Sequence, residues 1–243
     1  MSTSLPTSLL NRDDLLERYR ILDRSLPAVR MNFIASLDGA ATRDGLSGGL
    51  NNADDKMVFD TLRMLTDLIL VGAGTVRAEG YGGVRLEPAD AAWRVSQGLP
   101  AQPALAIVSA RLDIDAGHPF FADAATRPLV ITHAEAPAER RAALAAVAEV
   151  VICGERAVDP RLMLTELAAR GYRQVLCEGG PHLFGDLIAA DCVDELCLSL
   201  SPVLDAGPAG RIAVSAAPTP RPMRLLHSFA AGDMIFLRYA RAR

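Results

Sequence analysis

No apolar run in this 243-residue chain approaches the roughly 20 residues needed to cross a bilayer. The opening, MSTSLPTSLLNRDD, lacks the basic-then-apolar order of a secretory signal. Both absences lead to the expectation of a cytoplasmic protein. The four cysteines, Cys153, Cys177, Cys192 and Cys197, form no CxxC pair, and no histidine stands at zinc-ligand spacing from them. They lie in or beside apolar strand-like runs, the setting of buried free thiols, so no metal site is expected. Charge is not gathered into long blocks, and the net charge is −4. A nucleic-acid surface needs a basic face and is disfavoured. An anionic ligand has to be held by a few local donors. The chain also lacks a GxGxxG fingerprint, a P-loop, an internal repeat and a linker.

What is present is a core and a rhythm. Half the residues are apolar, enough for a sizeable interior. Asn11-Arg12-Asp13-Asp14 ahead of LLERYRIL reads as a short capped helix, so residues 1–27 are expected to form an N-terminal helical arm and 28–243 one domain. Strand-like runs recur at 29–35, 68–72, 105–109, 128–132, 149–153, 174–177 and 193–200. Helix-like segments separate most of them, as in the stretch from Asp159-Pro160 to Gly171. The polar stretch TRDGLSGGLNN (42–52) reads as irregular chain. Residues 223–230 and 234–239 around Gly232-Asp233 read as a hairpin. Alternating strands and helices predict an α/β fold with a mainly parallel central sheet and a C-terminal antiparallel hairpin at its edge.

Two strand ends carry glycines suited to a ligand. In LILVGAGTV (68–76), Gly72 and Gly74 follow a buried strand, and a helix is expected to start at Thr75. In VLCEGGPHLF (175–184), Gly179 and Gly180 precede a helix with Pro181 in its first turn. A helix start presents free N–H groups to an anion. Open α/β sheets bind ligands at this carboxyl edge. No nucleophile–base pair is visible, which suits hydride transfer by a cofactor.

The motifs ASLDG (35–39), DLILVGAGTV (67–76), EGGP (178–181) and VDEL (193–196) with Ser201-Pro202 occur in one order. Together they resemble the pyrimidine-reductase domain of riboflavin biosynthesis, the C-terminal half of the bifunctional deaminase–reductase, over about residues 28–240. The resemblance implies a dihydrofolate-reductase-like three-layer sandwich, NADPH as cofactor and a homodimer. The HxE and PCxxC pattern of a zinc deaminase is missing, which implies a stand-alone reductase.

By the same resemblance, Gly72, Gly74, Thr75 and Val76 face the cofactor on one side. Gly179, Gly180, Pro181, His182 and Leu183 hold its diphosphate on the other. Ser109 and Arg111 follow a strand end where the fold grips the 2′-phosphate, although Arg111 also reads as a solvated loop residue. Asn32, Ser36, Glu178 and Asp67 are the candidate substrate contacts, with Asp67 a possible anchor for a pteridine-like ring. Asp38 reads as turn chemistry. The implied reaction reduces the ribosyl group of a 5-amino-6-ribosylaminouracil phosphate to ribityl. A dihydrofolate or dihydropterin reductase, or a nucleotide-binding protein without turnover, are the alternatives.

Two departures bear on the substrate. Asn32 stands where many riboflavin reductases carry a lysine. After the first glycine turn, the family's Asp-Asp-Pro-type segment and its arginine are replaced by RAEGYGGVR (77–85). Glu79 there stands for the first aspartate, Tyr81 for the proline, and Arg85 is shifted by one position.

Overall fold

In the computed structural model, residues 10–242 are described. The chain runs α1 (Arg12–Tyr19), β1 (Ala28–Ser36), a 3-10 turn (Ser47–Leu50), α2 (Ala53–Leu65), β2 (Leu68–Gly72), α3 (Ala73–Ala78) and α4 (Pro88–Ser96). It continues with β3 (Ala104–Val108), α5 (Pro119–Ala122), β4 (Leu129–Thr132), α6 (Ala138–Ala145), β5 (Glu149–Ile152), α7 (Pro160–Ala169) and β6 (Gln174–Cys177). Last come α8 (Pro181–Ala189), β7 (Glu195–Ser201), β8 (Met223–Ala231) and β9 (Met234–Arg241). The nine strands of the described residues share one sheet in the order β5-β4-β3-β2-β6-β1-β7-β9-β8. Pairing is parallel from β5 to β7, and β9 and β8 run antiparallel at the end.

The strands sort their side chains with a period of two. Leu68, Leu70, Ala104, Ala106, Val175 and Cys177 face Met163 and Leu167 of α7 and Leu183 and Leu187 of α8. Ile69, Val71, Leu105 and Ile107 face the other way, onto Val76 of α3, Phe120 of α5 and Leu144 of α6. A third cluster joins Leu15 and Tyr19 of α1 and Val58 and Leu62 of α2 to β7 and β9 through Cys197 and Phe236. Strands covered on both faces read as continuous apolar runs, which is why LILV at 68–71 was legible. The helix caps follow local chemistry. Asn11 accepts from Asp14 N, Asn52 from Asp55 N, and Asp159 from Arg161 N and Leu162 N.

Two expectations change. The 42–52 stretch is partly ordered, with an Arg43–Leu46 bridge and the 3-10 turn. The helix expected from Thr75 begins two residues earlier, at Ala73, directly on the strand end. The four cysteines are free and buried. Burial pushes the Cys153 and Cys197 thiols up to about 11 and Cys177 up to about 12, so they stay protonated. Among the described residues, no helix is long and apolar enough to cross a membrane.

At the amino edge a charged cluster fastens α1. Glu195 of β7 accepts from Arg30 of β1 (2.7 Å) and from Arg238 of β9 (2.7 Å). Arg30 also donates to Tyr19 O, and Arg238 to Arg18 O, satisfying carbonyls that the helix end leaves free. Burial opposes ionisation of Glu195, but the two arginines outweigh it and hold the carboxyl below its ordinary range. A lowered folded-state pKa contributes stability above the unfolded value, and that stability is lost as pH falls through the folded one. Glu195→Gln is therefore expected to cost about 3 kcal/mol at neutral pH, because it leaves two buried cations uncompensated. Urea unfolding at neutral pH and near pH 3 checks this. The gap between the two proteins should close at the acid end.

Candidate functional site

The carboxyl ends of β2 and β6 are drawn together by one backbone hydrogen bond, Gly72 N to Gly179 O at 2.8 Å. A Cβ at Gly72 would stand 3.2 Å from Gly180 N, and one at Gly180 would stand 2.8 Å from Thr75 Oγ1. Gly179 has φ +126°, a conformation that side chains rarely tolerate. The Gly179–Gly180 peptide is cis. Both turns feed helices directly, α3 from Gly72 and α8 from Gly180, and Pro181 takes the first position of α8, where its missing N–H costs nothing.

A cleft of about 640 Å³ opens over these turns, a size usual for a cofactor site. Gly72, Gly74, Thr75, Gly180, Pro181, His182 and Leu183 line it, and so do Ser109 and Arg111 at the end of β3. A Cβ at Gly74 would meet nothing within 4 Å, so that surface is open to a ligand. Ser109 is 4% exposed, and its Oγ accepts from Leu112 N, so it shapes the loop from inside. Thr75, Gly180 and Pro181 also line a smaller pocket of about 180 Å³ with Asn32, Thr42, Ser47, Asn51, Asp55, Glu79 and Glu178. The strand order dictates this sequence of cavities. Along the carboxyl edge, β3 carries the far end, β2 and β6 the middle, and β1 the small pocket.

Three expected site residues lie elsewhere. Val76 is fully buried, because its side chain enters the core against α5 rather than the cleft. Ser36 is 1% exposed; it donates to Asp38 and accepts from Ala40 N, so it closes the turn after β1. Asp38 in turn accepts from Ala206 N, and the Ser36 hydroxyl foremost lowers its carboxyl to about 2. Asp67 immediately precedes β2 at the opposite edge, about 16 Å of extended chain from Gly72. It pairs with Arg24 and accepts from Arg173 N and Gln174 N, a joint between arm and sheet. It anchors no ring.

Glu178 does reach the small pocket, held by two partners that sequence reasoning missed. Arg63 donates to both carboxylate oxygens at 2.7 Å, and the Tyr81 hydroxyl donates to Oε2. Arg63 also donates to Tyr81 Oη (2.9 Å) and lies over the Phe59 ring at 4.1 Å. Burial, then the adjoining carboxylate, push the Tyr81 hydroxyl well above its ordinary value, so it remains a donor. For Arg63, burial works against the charge but Glu178 prevails, and its pKa is raised. Arg85 is exposed and donates to Asp123 O, away from both cavities. Glu79 accepts from Ser47 N and so ties the 42–50 loop to the end of α3.

Asp55 was missed as well. It is 8% exposed on the first turn of α2, and burial, opposed in part by a Ser199 hydrogen bond, pushes its carboxyl up. The sequence allows either Asn52 or Asp54 as the cap of α2, which leaves the helix phase open, and it does not say what the face carrying position 55 meets. The residues around the small pocket include no lysine, arginine or histidine. A groove of about 650 Å³ at the amino edge has no glycine turn, and three of its charges, Arg30, Glu195 and Arg238, satisfy one another.

Residues 27–237 match the RibD C-terminal domain family. The chain belongs to this family. A 2,5-diamino-6-ribosylamino-4(3H)-pyrimidinone 5′-phosphate reductase from Archaeoglobus fulgidus is 31% identical over 185 residues, covering 74% of this chain and 83% of that one. The riboflavin biosynthesis protein RibD of Bacillus amyloliquefaciens is 30% identical over 185 residues, 75% of this chain and 47% of that longer protein. Among solved structures, a pyrimidine reductase-like protein from Corynebacterium diphtheriae superposes with a TM-score of 0.84 at 26% identity, covering 94% and 98% of the two chains. Yeast Rib7, at 19% identity and a TM-score of 0.69, shares the fold. The chain is accordingly a reductase, an oxidoreductase of a family that points to a nicotinamide cofactor.

The buried Arg63–Glu178 pair makes a direct prediction. Arg63→Met strands a buried carboxylate and should cost about 3–5 kcal/mol of stability. Adding Glu178→Met should recover much of it, because the uncompensated charge is then removed. Thermal unfolding of both variants tests this, and equal losses in the single and double variants would contradict it.

Proposed function

We propose that this chain is a cytoplasmic, NADPH-dependent reductase that converts the ribosyl group of an aminopyrimidine ribosyl phosphate to a ribityl chain. The observation that carries the reading is the continuity of the long cleft with the small pocket through Thr75, Gly180 and Pro181. The residues present fit the cofactor. Gly72 and Gly74 leave room for a close approach, and the first turn of α8 offers free N–H groups for a diphosphate. Arg111 at the end of β3 supplies fixed charge for a 2′-phosphate. When bound, NADPH supplies the hydride. The protein's part is placement: Thr75, Gly180 and Pro181 hold the reacting ends together, while Asn32, Asn51 and Glu79 offer hydrogen bonds to the substrate. The homodimer implied by the resemblance would use the free outer edge of β8, where Leu225 and Leu226 are exposed.

A second reading has its own observation. Asp55 places a buried carboxyl in the pocket, and no cation lines it. This suits a ring rich in N–H donors better than a phosphate, as in a dihydropterin. Calorimetric titration with NADPH and NADH tests the cofactor, and binding of neither would overturn both readings. Loss of NADPH absorbance with the pyrimidine ribosyl phosphate, and separately with dihydrofolate, then chooses between substrates. On the second reading, Asp55→Asn should lower kcat/KM for dihydrofolate about 10- to 100-fold, the worth of a hydrogen bond to a charged group. An unchanged value would remove Asp55 from substrate recognition.

A further inference from the structure

The far end of the long cleft gathers more positive charge than the proposed cofactor site has so far used. Arg77, at the end of α3, donates through Nη1 to Asp113 Oδ1 at 2.9 Å and to Asp113 O at 3.3 Å. Arg111 Nη2 lies 3.6 Å from Asp113 Oδ2, and its side chain is 79% exposed. Arg140 of α6 donates to Arg111 O at 3.0 Å. Two guanidiniums therefore flank one carboxylate, and a third braces the loop that carries Arg111, in a protein whose net charge is −4. Arg77, Arg111 and Asp113 all line the cleft, at the β3 end of the sheet edge and away from the small pocket.

We infer that Arg77 and Arg111 form a two-armed clamp for the cofactor's 2′-phosphate, with Asp113 as a built-in competitor that holds Arg77 in position while the site is free. The inference rests on the NADPH reading and goes beyond it in naming the second arm and the competing carboxylate. A phosphate monoester carries up to two charges and three acceptor oxygens, and guanidinium forks match that geometry. One exposed arginine would give weak selection, because solvent screens it. Two arms converging from α3 and the β3 loop give a specific one. A ribose 2′-hydroxyl has no charge to offer the arginines and leaves the Asp113 pairing intact.

The test is calorimetric titration of the full-length protein and of the Arg77→Ala, Arg111→Ala and Asp113→Asn variants with NADPH, NADH and 2′,5′-ADP. Arg77→Ala should weaken NADPH and 2′,5′-ADP about tenfold or more, the worth of a charge-assisted contact, and should leave NADH almost unchanged. Asp113→Asn should tighten NADPH and 2′,5′-ADP and make little difference to NADH. The unaltered protein should lose NADPH affinity with added salt more steeply than Arg77→Ala does. If Arg77→Ala weakens NADPH and NADH equally, or neither, while the unaltered protein still binds NADPH, the clamp is overturned and the cofactor reading stands. If the unaltered protein binds no nucleotide, both are overturned.

Discussion

The site depends on a single backbone contact, the hydrogen bond from Gly72 to Gly179 at 2.8 Å. It joins residues more than a hundred positions apart because β6 enters the sheet between β2 and β1. With two strand ends this close, a side chain at Gly180 would collide with Thr75, and one at Gly72 would crowd the Gly180 backbone. The glycines are thus required first by the packing of one turn on the other. The open surface over Gly74 is a consequence of the same arrangement, since α3 starts at the strand end and leaves no loop to cover it. Cofactor space and structural necessity coincide here.

The same sheet edge divides the labour between cavities. The side toward β3 is lined by glycine turns, small residues and surface charges that include Arg77, Arg111 and Asp113, and it accommodates a long ligand. On the β1 side, functional groups are taken up by one another. Arg63 and Tyr81 saturate Glu178, whose side chain is 1% exposed. Tyr81 thus completes a buried polar network, and with all its members paired that network is rigid. Asp55 and Glu79 are left as the ionisable groups with room to respond to a substrate.

How much of this was legible follows from the range of the interactions. The strand at 68–72, the Asp159 cap and the glycine at 171 that ends α7 are written in local sequence, because periodicity and capping act within a few residues. The glycine turns were legible too, since a buried strand ending in glycine is a local pattern. Ser36, Asp67 and Val76 sat beside the right motifs and still failed, for a geometric reason. A motif fixes where the backbone goes, whereas the helix or strand phase decides which side chain turns toward the cleft. Val76 points into the core, and Asp67 stands at the wrong end of its strand. Arg63 and Asp55 were invisible for the complementary reason. Their roles come from what α2 packs against, and Glu178 is 115 positions from Arg63.

That packing also bears on substrate chemistry. A phosphate in the small pocket would need a cation, and the one nearest the Glu178 carboxylate is already held by two partners. Freeing Arg63 would expose a buried carboxylate without its counter-charge, at a cost comparable to the gain from a new phosphate contact. A substrate that presents N–H donors meets no such barrier. It finds Asn32, Asn51 and Glu79 at the rim and the Asp55 carboxyl deeper in, where burial strengthens any hydrogen bond that forms. The pocket's selectivity is therefore set by which of its charges remain unpaired, and the arginine-to-glutamate brace leaves only acidic ones.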